Sequence, residues 1–69
     1  MGAAKVIKQI MYEQNVSVSQ LASALGIQPQ SLSNKLYRDS FSFDDVVHIA
    51  DILGSDVKIT IRETGKEFY

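Results

Sequence analysis

The sequence contains no cysteine and a single histidine among its 69 residues. Disulfides are therefore excluded, and a metal site built from protein side chains is not expected, because thiolates and imidazoles are the usual ligands. A core this small gives limited stability, so tight helix packing, self-association or both must hold the fold together. We expect no cofactor.

Long hydrophobic runs are also missing. The longest apolar stretches are only a few residues, far short of the roughly 20 that cross a bilayer as a helix. The N-terminal residues do not have the pattern of a signal peptide. We therefore expect a cytoplasmic protein without a membrane partner.

A catalytic arrangement is equally hard to find. The single histidine, His48, falls on the polar side of an apolar segment, where we expect a solvated residue. Asp44 and Asp45 are adjacent, so a helix points them in different directions, and helix capping explains them better than acid–base chemistry. We expect no enzymatic activity and no small-molecule substrate.

The charges are few and unevenly placed. The chain is 45% apolar and 22% charged, which is typical of one small folded domain. The net charge of −1 divides into +3 for residues 1–38 and −4 for residues 39–69. This split either arises by chance in a short chain or gives the molecule one anion-facing side.

Residues 16–37 have the pattern of two short helices joined by a tight turn. Ser17 and Gln20 form a capping box at the start of the first helix, and Gly26 ends that helix in the left-handed conformation. Pro29 fits the first turn of the second helix, where its missing N–H is harmless. The apolar positions expected in the core are Leu21, Ala22, Leu25, Ile27, Leu32 and Leu36. A glycine turn between two such helices predicts a helix-turn-helix motif.

One helix precedes the motif and another follows it. Residues 3–14 carry an apolar stripe that includes Ile7, Ile10 and Met11 and is broadened by Val6. After the motif, Ser42 begins a helix that Gly54 closes, with Asp45 completing a second capping box. The positions of this last helix expected in the core are Phe43, Val46, Ile49, Ala50 and Leu53.

The hydrophobic period changes from 3.6 to 2 after residue 54. Val57, Ile59 and Ile61 alternate with polar residues, which predicts a strand over 57–62 with one buried face. A turn at 63–66 and a short return strand at 67–69 would complete a hairpin. Because a lone hairpin is marginal in water, the strand must pack on the helices, pair with its counterpart in a second copy, or do both.

The chain therefore divides into a helix-turn-helix domain, residues 1–54, and a C-terminal extension, residues 55–69. We expect the extension to form a homodimer through Val57, Ile59 and Ile61. The order of elements up to residue 54 resembles the phage repressor and Cro type of helix-turn-helix protein, the XRE family. The residues that carry this resemblance are Ser17, Leu21-Ala22, Leu25-Gly26-Ile27, Leu32-Ser33, Ile49-Ala50 and Leu53-Gly54.

The resemblance implies a mainly α fold, a four-helix lambda-repressor-like helix-turn-helix domain. Such domains usually have a fifth helix, whereas here a C-terminal β-strand or short hairpin takes its place, as in the Cro-like branch, whose strands pair across a dimer. The second motif helix of the family enters the DNA major groove with its N-terminal side chains on base edges. Double-stranded DNA is thus the implied partner.

Several side chains of this chain match DNA-contacting positions in that resemblance. Gln30 and Asn34, four residues apart, carry amides whose donor and acceptor suit adenine. The full set of expected DNA contacts is Ser17, Gln28, Gln30, Ser31, Ser33, Asn34, Lys35 and Arg38. Pro29 replaces a polar side chain that commonly reads a base, so one fewer base is read here. Tyr37 is expected to be a partly buried core residue rather than a platform on which a base stacks.

Two functions follow from this sequence. The first is a DNA-binding transcriptional regulator, a repressor that reads the major groove with helix 29–37 as a homodimer. The second is a protein–protein interaction module that kept the fold and lost DNA binding, which Pro29, the acidic C-terminal half and the small number of cations favour. The fold alone does not decide between them.

Overall fold

The chain, as a computed structural model describes it over residues 2–69, has four α-helices followed by two short strands. The elements are α1 (Ala3–Gln14), α2 (Val18–Leu25), α3 (Pro29–Arg38), α4 (Phe43–Ile52), β1 (Ile59–Thr60) and β2 (Glu67–Phe68). This is the mainly α helix-turn-helix architecture with a C-terminal hairpin that the sequence predicts, so the fold class is confirmed.

All four helices contribute to one apolar core. Leu21 of α2 and Leu32 of α3 lie at its centre, with 1% and 0% of their surface exposed. Ile7 and Met11 come from α1, and Ile49 from α4. Among residues 2–69 no polar or charged residue is buried. The helices are therefore held together by apolar packing, and the polar side chains are left for the surface.

The predicted helix ends are present. Ser17 Oγ accepts a hydrogen bond from the Gln20 backbone N–H at 3.1 Å, and Gln20 Oε1 accepts one from the Ser17 N–H at 2.8 Å. Ser42 and Asp45 make the same reciprocal pair at 3.0 Å each. The backbone N–H of Ser42 is the main cause of a lowered pKa at Asp45. Gly26 ends α2 with φ of 72°, in the left-handed region.

Two hydrogen bonds between distant parts of the chain fix α1 in place. Asp39 Oδ1 accepts from the Ala4 backbone N–H at 2.8 Å, so a carboxylate satisfies an otherwise unpaired donor at the positive end of α1. At the other end of α1, Gln14 Nε2 donates to the Leu53 carbonyl oxygen at 2.7 Å. One bond ties the start of α1 to the end of α3, and the other ties its end to the residue that follows α4.

Three predicted burials are wrong. Val6, Tyr37 and Phe43 were expected to lie in or beside the core, and all three are exposed. Phe43 begins α4 and faces the hairpin side, where it lines an open groove with Ile59 and Phe68. The apolar periodicity correctly identifies the face of each helix that points towards the core. It does not reveal how far along that face a neighbouring helix extends.

The hairpin forms within one chain. β1 and β2 are antiparallel, with Ile59 opposite Phe68, and a 2.9 Å ion pair joins Lys58 to Glu67 beside them. The strand is shorter than the predicted residues 57–62. Its expected buried face is also wrong for a single chain, because Ile59 is 62% exposed and Ile61 44% exposed. Ile59 and Ile61 are therefore not buried against the helices of the same chain. Pairing with a second copy is the other predicted way to bury them.

Candidate nucleic-acid interface

Helix α3 has one buried face and one exposed face. Leu32 and Leu36, four residues apart, pack into the core. Apart from Pro29, the side chains on the remaining surface of the helix are polar or aromatic, as expected for an amphipathic surface helix. The exposed residues that were predicted to contact DNA are Gln28, Gln30, Ser31, Ser33, Asn34 and Arg38. The structure therefore brings most of the predicted site onto one element.

The two amides at the centre of this face are in direct contact. Gln30 Nε2 donates a hydrogen bond to Asn34 Oδ1 at 3.2 Å, across one turn of α3. This bond restrains both side chains while leaving the Asn34 amide N–H groups and the Gln30 carbonyl oxygen free to bind a ligand. Paired amides of this kind match the donor and acceptor on the major-groove edge of adenine.

Ser17 lies at the start of α2, close to α3. Its hydroxyl oxygen is engaged in the capping box, but the hydroxyl can still donate its own hydrogen. Ser17 and Ser33 line the same open groove, whose other walls come from α1. The helix N-terminus and these hydroxyls present donors to an anion such as a phosphate.

The two predicted cations of α3 have different surroundings. Arg38 is exposed in the last turn of the helix. Lys35 is only half-exposed and lies in a pocket between α3 and α4 that Asp45 and His48 also line. Lys35 contributes, after the hydrogen bonds from Ser42, to the lowered pKa of Asp45. Its positive charge is thus partly offset on the flank of the helix.

Tyr37 is exposed beside the predicted site, although the sequence predicts a partly buried core residue. It follows Asn34 by three positions and Gln30 by seven, so helical spacing places it on the face of the two amides. That spacing was available as a signal, but an aromatic residue next to Leu36 was assigned to the core instead. Lys8 and Tyr12 of α1 line the groove beside it.

The charges separate by element. Of the seven basic residues, Lys5 and Lys8 belong to α1 and Lys35 and Arg38 to α3, while Lys58, Arg62 and Lys66 lie in the C-terminal segment, where they balance three acidic residues. Most of the acidic residues lie on α4 and in the C-terminal segment, namely Asp44, Asp45, Asp51, Asp56, Glu63 and Glu67. The cationic side of the molecule therefore includes the exposed face of α3.

Other kinds of site find little support in the part of the chain described. Residues 2–69 contain no group of three histidine, cysteine, aspartate or glutamate side chains able to hold a metal ion. Over the same residues, no helix has the length and apolar character needed to cross a membrane. The exposed face of α3 and its neighbouring groove present hydrogen-bond donors and the cations Arg38 and Lys8, which are groups that bind a polyanion.

Four packed helices, a glycine turn and a polar outer face on the second motif helix define the helix-turn-helix class of DNA-binding regulators. The chain belongs to the bacteriophage CI repressor helix-turn-helix domain family, whose model matches residues 5–61. Domains of this kind bind DNA and are typically not enzymes. No curated protein and no solved structure matches the chain. The predicted phage-repressor resemblance is confirmed, while the Cro-like subtype stays a prediction.

Proposed function

We propose that the chain is a repressor that reads the DNA major groove with α3 and acts as a homodimer in the cytoplasm. The observation that carries this proposal is the bonded pair Gln30–Asn34 on the exposed face of a helix whose other face is buried. A helix held in this way can enter a major groove about 12 Å wide without leaving its core.

Each predicted residue then has a role set by its position. Gln30, Ser31 and Asn34 contact base edges from the outward face of α3. Pro29 occupies the first turn without a polar group, which removes one base contact. The residues assigned to phosphates are Ser17, Gln28, Ser33, Lys35 and Arg38, of which Lys35 has the least freedom because it lies towards Asp45.

The hairpin supports the homodimer. β1 bonds to β2 along one edge, which leaves its other edge open to another strand. Ile59 and Ile61 of the hairpin expose apolar surface, and Val57, which precedes β1, is half-buried. We assign these three residues to the dimer contact. Two copies would present two α3 helices to half-sites about 34–36 Å apart.

A salt titration of binding to random duplex DNA tests the proposal. We expect measurable binding at about 50 mM salt that weakens steeply as salt rises, because cationic side chains release counterions from the phosphates. Fluorescence anisotropy of a labelled duplex measures this directly. Absence of binding at about 50 mM salt, even with protein at high micromolar concentration, would contradict it.

Two substitutions on α3 separate base reading from phosphate binding. Asn34→Ala is expected to reduce discrimination among sequences, by roughly 1–3 kcal/mol at the base it reads. Lys35→Ala is expected to weaken all sequences about equally. Selection from a random duplex library with each variant, compared with the unchanged chain, measures both effects. If the two variants behave alike, the assigned roles are wrong.

A protein-binding module is the second candidate function. The observation that favours it is the exposed apolar surface of Phe43, Val47, Ile59 and Phe68, which lies on the acidic side of the molecule. Surfaces of this type commonly mark protein contacts. The salt titration distinguishes the two functions, since this candidate predicts no affinity for duplex DNA.

A further inference from the structure

The three tyrosines of the chain are all almost fully exposed. Tyr12 and Tyr37 are each 90% exposed, and Tyr69 is 91% exposed. Tyr12 belongs to α1 and Tyr37 to α3, yet both line one open groove of about 490 Å³. Tyr69 lines a different groove, on the hairpin side. Two rings from separate helices thus flank a single cleft, and the third tyrosine serves as an internal comparison.

The polar character of this cleft favours an anionic ligand. In the part of the chain described, Lys8 is the only charged residue that lines it, and Ser17 and Ser33 add hydroxyl groups. The groove that Tyr69 lines instead contains Asp51 and Asp56, with Lys58 as its one cation. The two tyrosine-lined grooves therefore have opposite electrostatic preferences.

The cleft is continuous with the exposed face of α3. Ser33 precedes Asn34 directly, and Tyr37 lies one helical turn beyond it. A duplex whose major groove holds α3 must bring a sugar–phosphate strand along the side of this helix. Because the cleft opens on that side and carries a cation, the backbone of the duplex is the occupant that its position and charge fit.

We propose that Lys8, Tyr12 and Tyr37 form a clamp for the phosphodiester backbone of the DNA strand beside α3. Lys8 pairs with a phosphate, while the two phenol hydroxyls donate to phosphate oxygens and the rings cover the adjacent sugars. This inference rests on the proposed function and adds to it a contact made by α1, outside the helix-turn-helix motif. It assigns a binding role to two tyrosines that the core does not use.

Matched single substitutions in the full chain test the clamp. Tyr12→Ala and Tyr37→Ala are each expected to weaken binding to a random duplex by about tenfold or more, the effect of losing a hydrogen bond to a charged group. Tyr69→Ala removes an equally exposed ring and should change the affinity for the duplex by less than about twofold. Lys8→Ala should lower the slope of log affinity against log salt by about one, and Lys5→Ala by clearly less, although both remove one α1 lysine.

A footprint on the unsubstituted protein gives a second readout. DNA should protect Tyr12 and Tyr37 from nitration and leave Tyr69 as reactive as in the free chain at the same concentration. If the unsubstituted chain binds DNA but the Tyr12, Tyr37 and Lys8 variants match their controls and no protection occurs, the clamp is refuted and the proposed function stands. If the unsubstituted chain does not bind DNA, both are refuted.

Discussion

Replacing Leu32 with alanine is expected to remove most of the free energy of unfolding of the chain at 25 °C. Leu32 is fully buried in α3, at the point where that helix meets the core cluster of Ile7, Leu21 and Ile49. Removing a buried leucine side chain costs about 2–5 kcal/mol, because transfer energy is lost and a cavity remains. A single core in a chain of this size supplies only about 3–5 kcal/mol, so one substitution removes most of the stability.

Circular dichroism during urea unfolding measures this effect. Leu32→Met keeps the volume and should cost less than about 1.5 kcal/mol, which gives an intermediate point in the series. Ser33→Ala is the matched control on the adjacent exposed position and should lie within about 0.5 kcal/mol of the unchanged chain. A Leu32→Ala variant that unfolds at the same urea concentration as Ser33→Ala would show that α3 is not held by this core.

The helix ends could be predicted from sequence because they depend on neighbouring residues. A capping box needs only Ser17 and Gln20, or Ser42 and Asp45, three positions apart, and the structure contains both pairs. Gly26 is similar, since the left-handed conformation at a helix end is a local backbone preference. These positions set where α2 begins and ends and where α4 begins.

Contacts between distant residues could not be predicted in this way. Asp39 and Ala4 are 35 positions apart, and no local pattern shows that this carboxylate caps α1. Tyr37 and Phe43 were misplaced for a related reason. Periodicity reports that a side chain is apolar and on a given face, whereas burial depends on whether another element extends far enough to cover it. On the exposed face of α3 this error excluded Tyr37 from the predicted site residues.

The sequence correctly predicts a strand in the C-terminal segment, but it does not predict that the strand is exposed. The alternation of Val57, Ile59 and Ile61 indicates extended backbone, and the structure places a short strand at Ile59–Thr60. The same alternation predicts a buried face, which a single chain does not supply. The alternation shows that one face of the strand is apolar, but it does not identify the surface that covers this face. For this hairpin we assign the covering surface to a second copy of the chain.

Truncation after Ser55 is therefore expected to convert a dimer into a folded monomer. All the buried apolar side chains of residues 2–69 lie between Ala4 and Leu53, so the four-helix core remains complete. Residues 56–69 carry three positive and three negative charges, which means that their removal leaves the net charge unchanged. Loss of the second half-site contact should weaken binding to a two-half-site duplex by about a hundredfold or more.

Sedimentation equilibrium and binding to a sequence enriched by selection measure the two effects together. Within the full chain, Ile59→Lys should disrupt the dimer, whereas Thr60→Lys adds the same charge on the opposite face of β1 and should preserve it. An unchanged mass for the truncated chain would exclude the hairpin as the dimer contact. A monomeric mass with undiminished DNA affinity would show instead that one copy suffices, and the two-half-site arrangement would have to be abandoned.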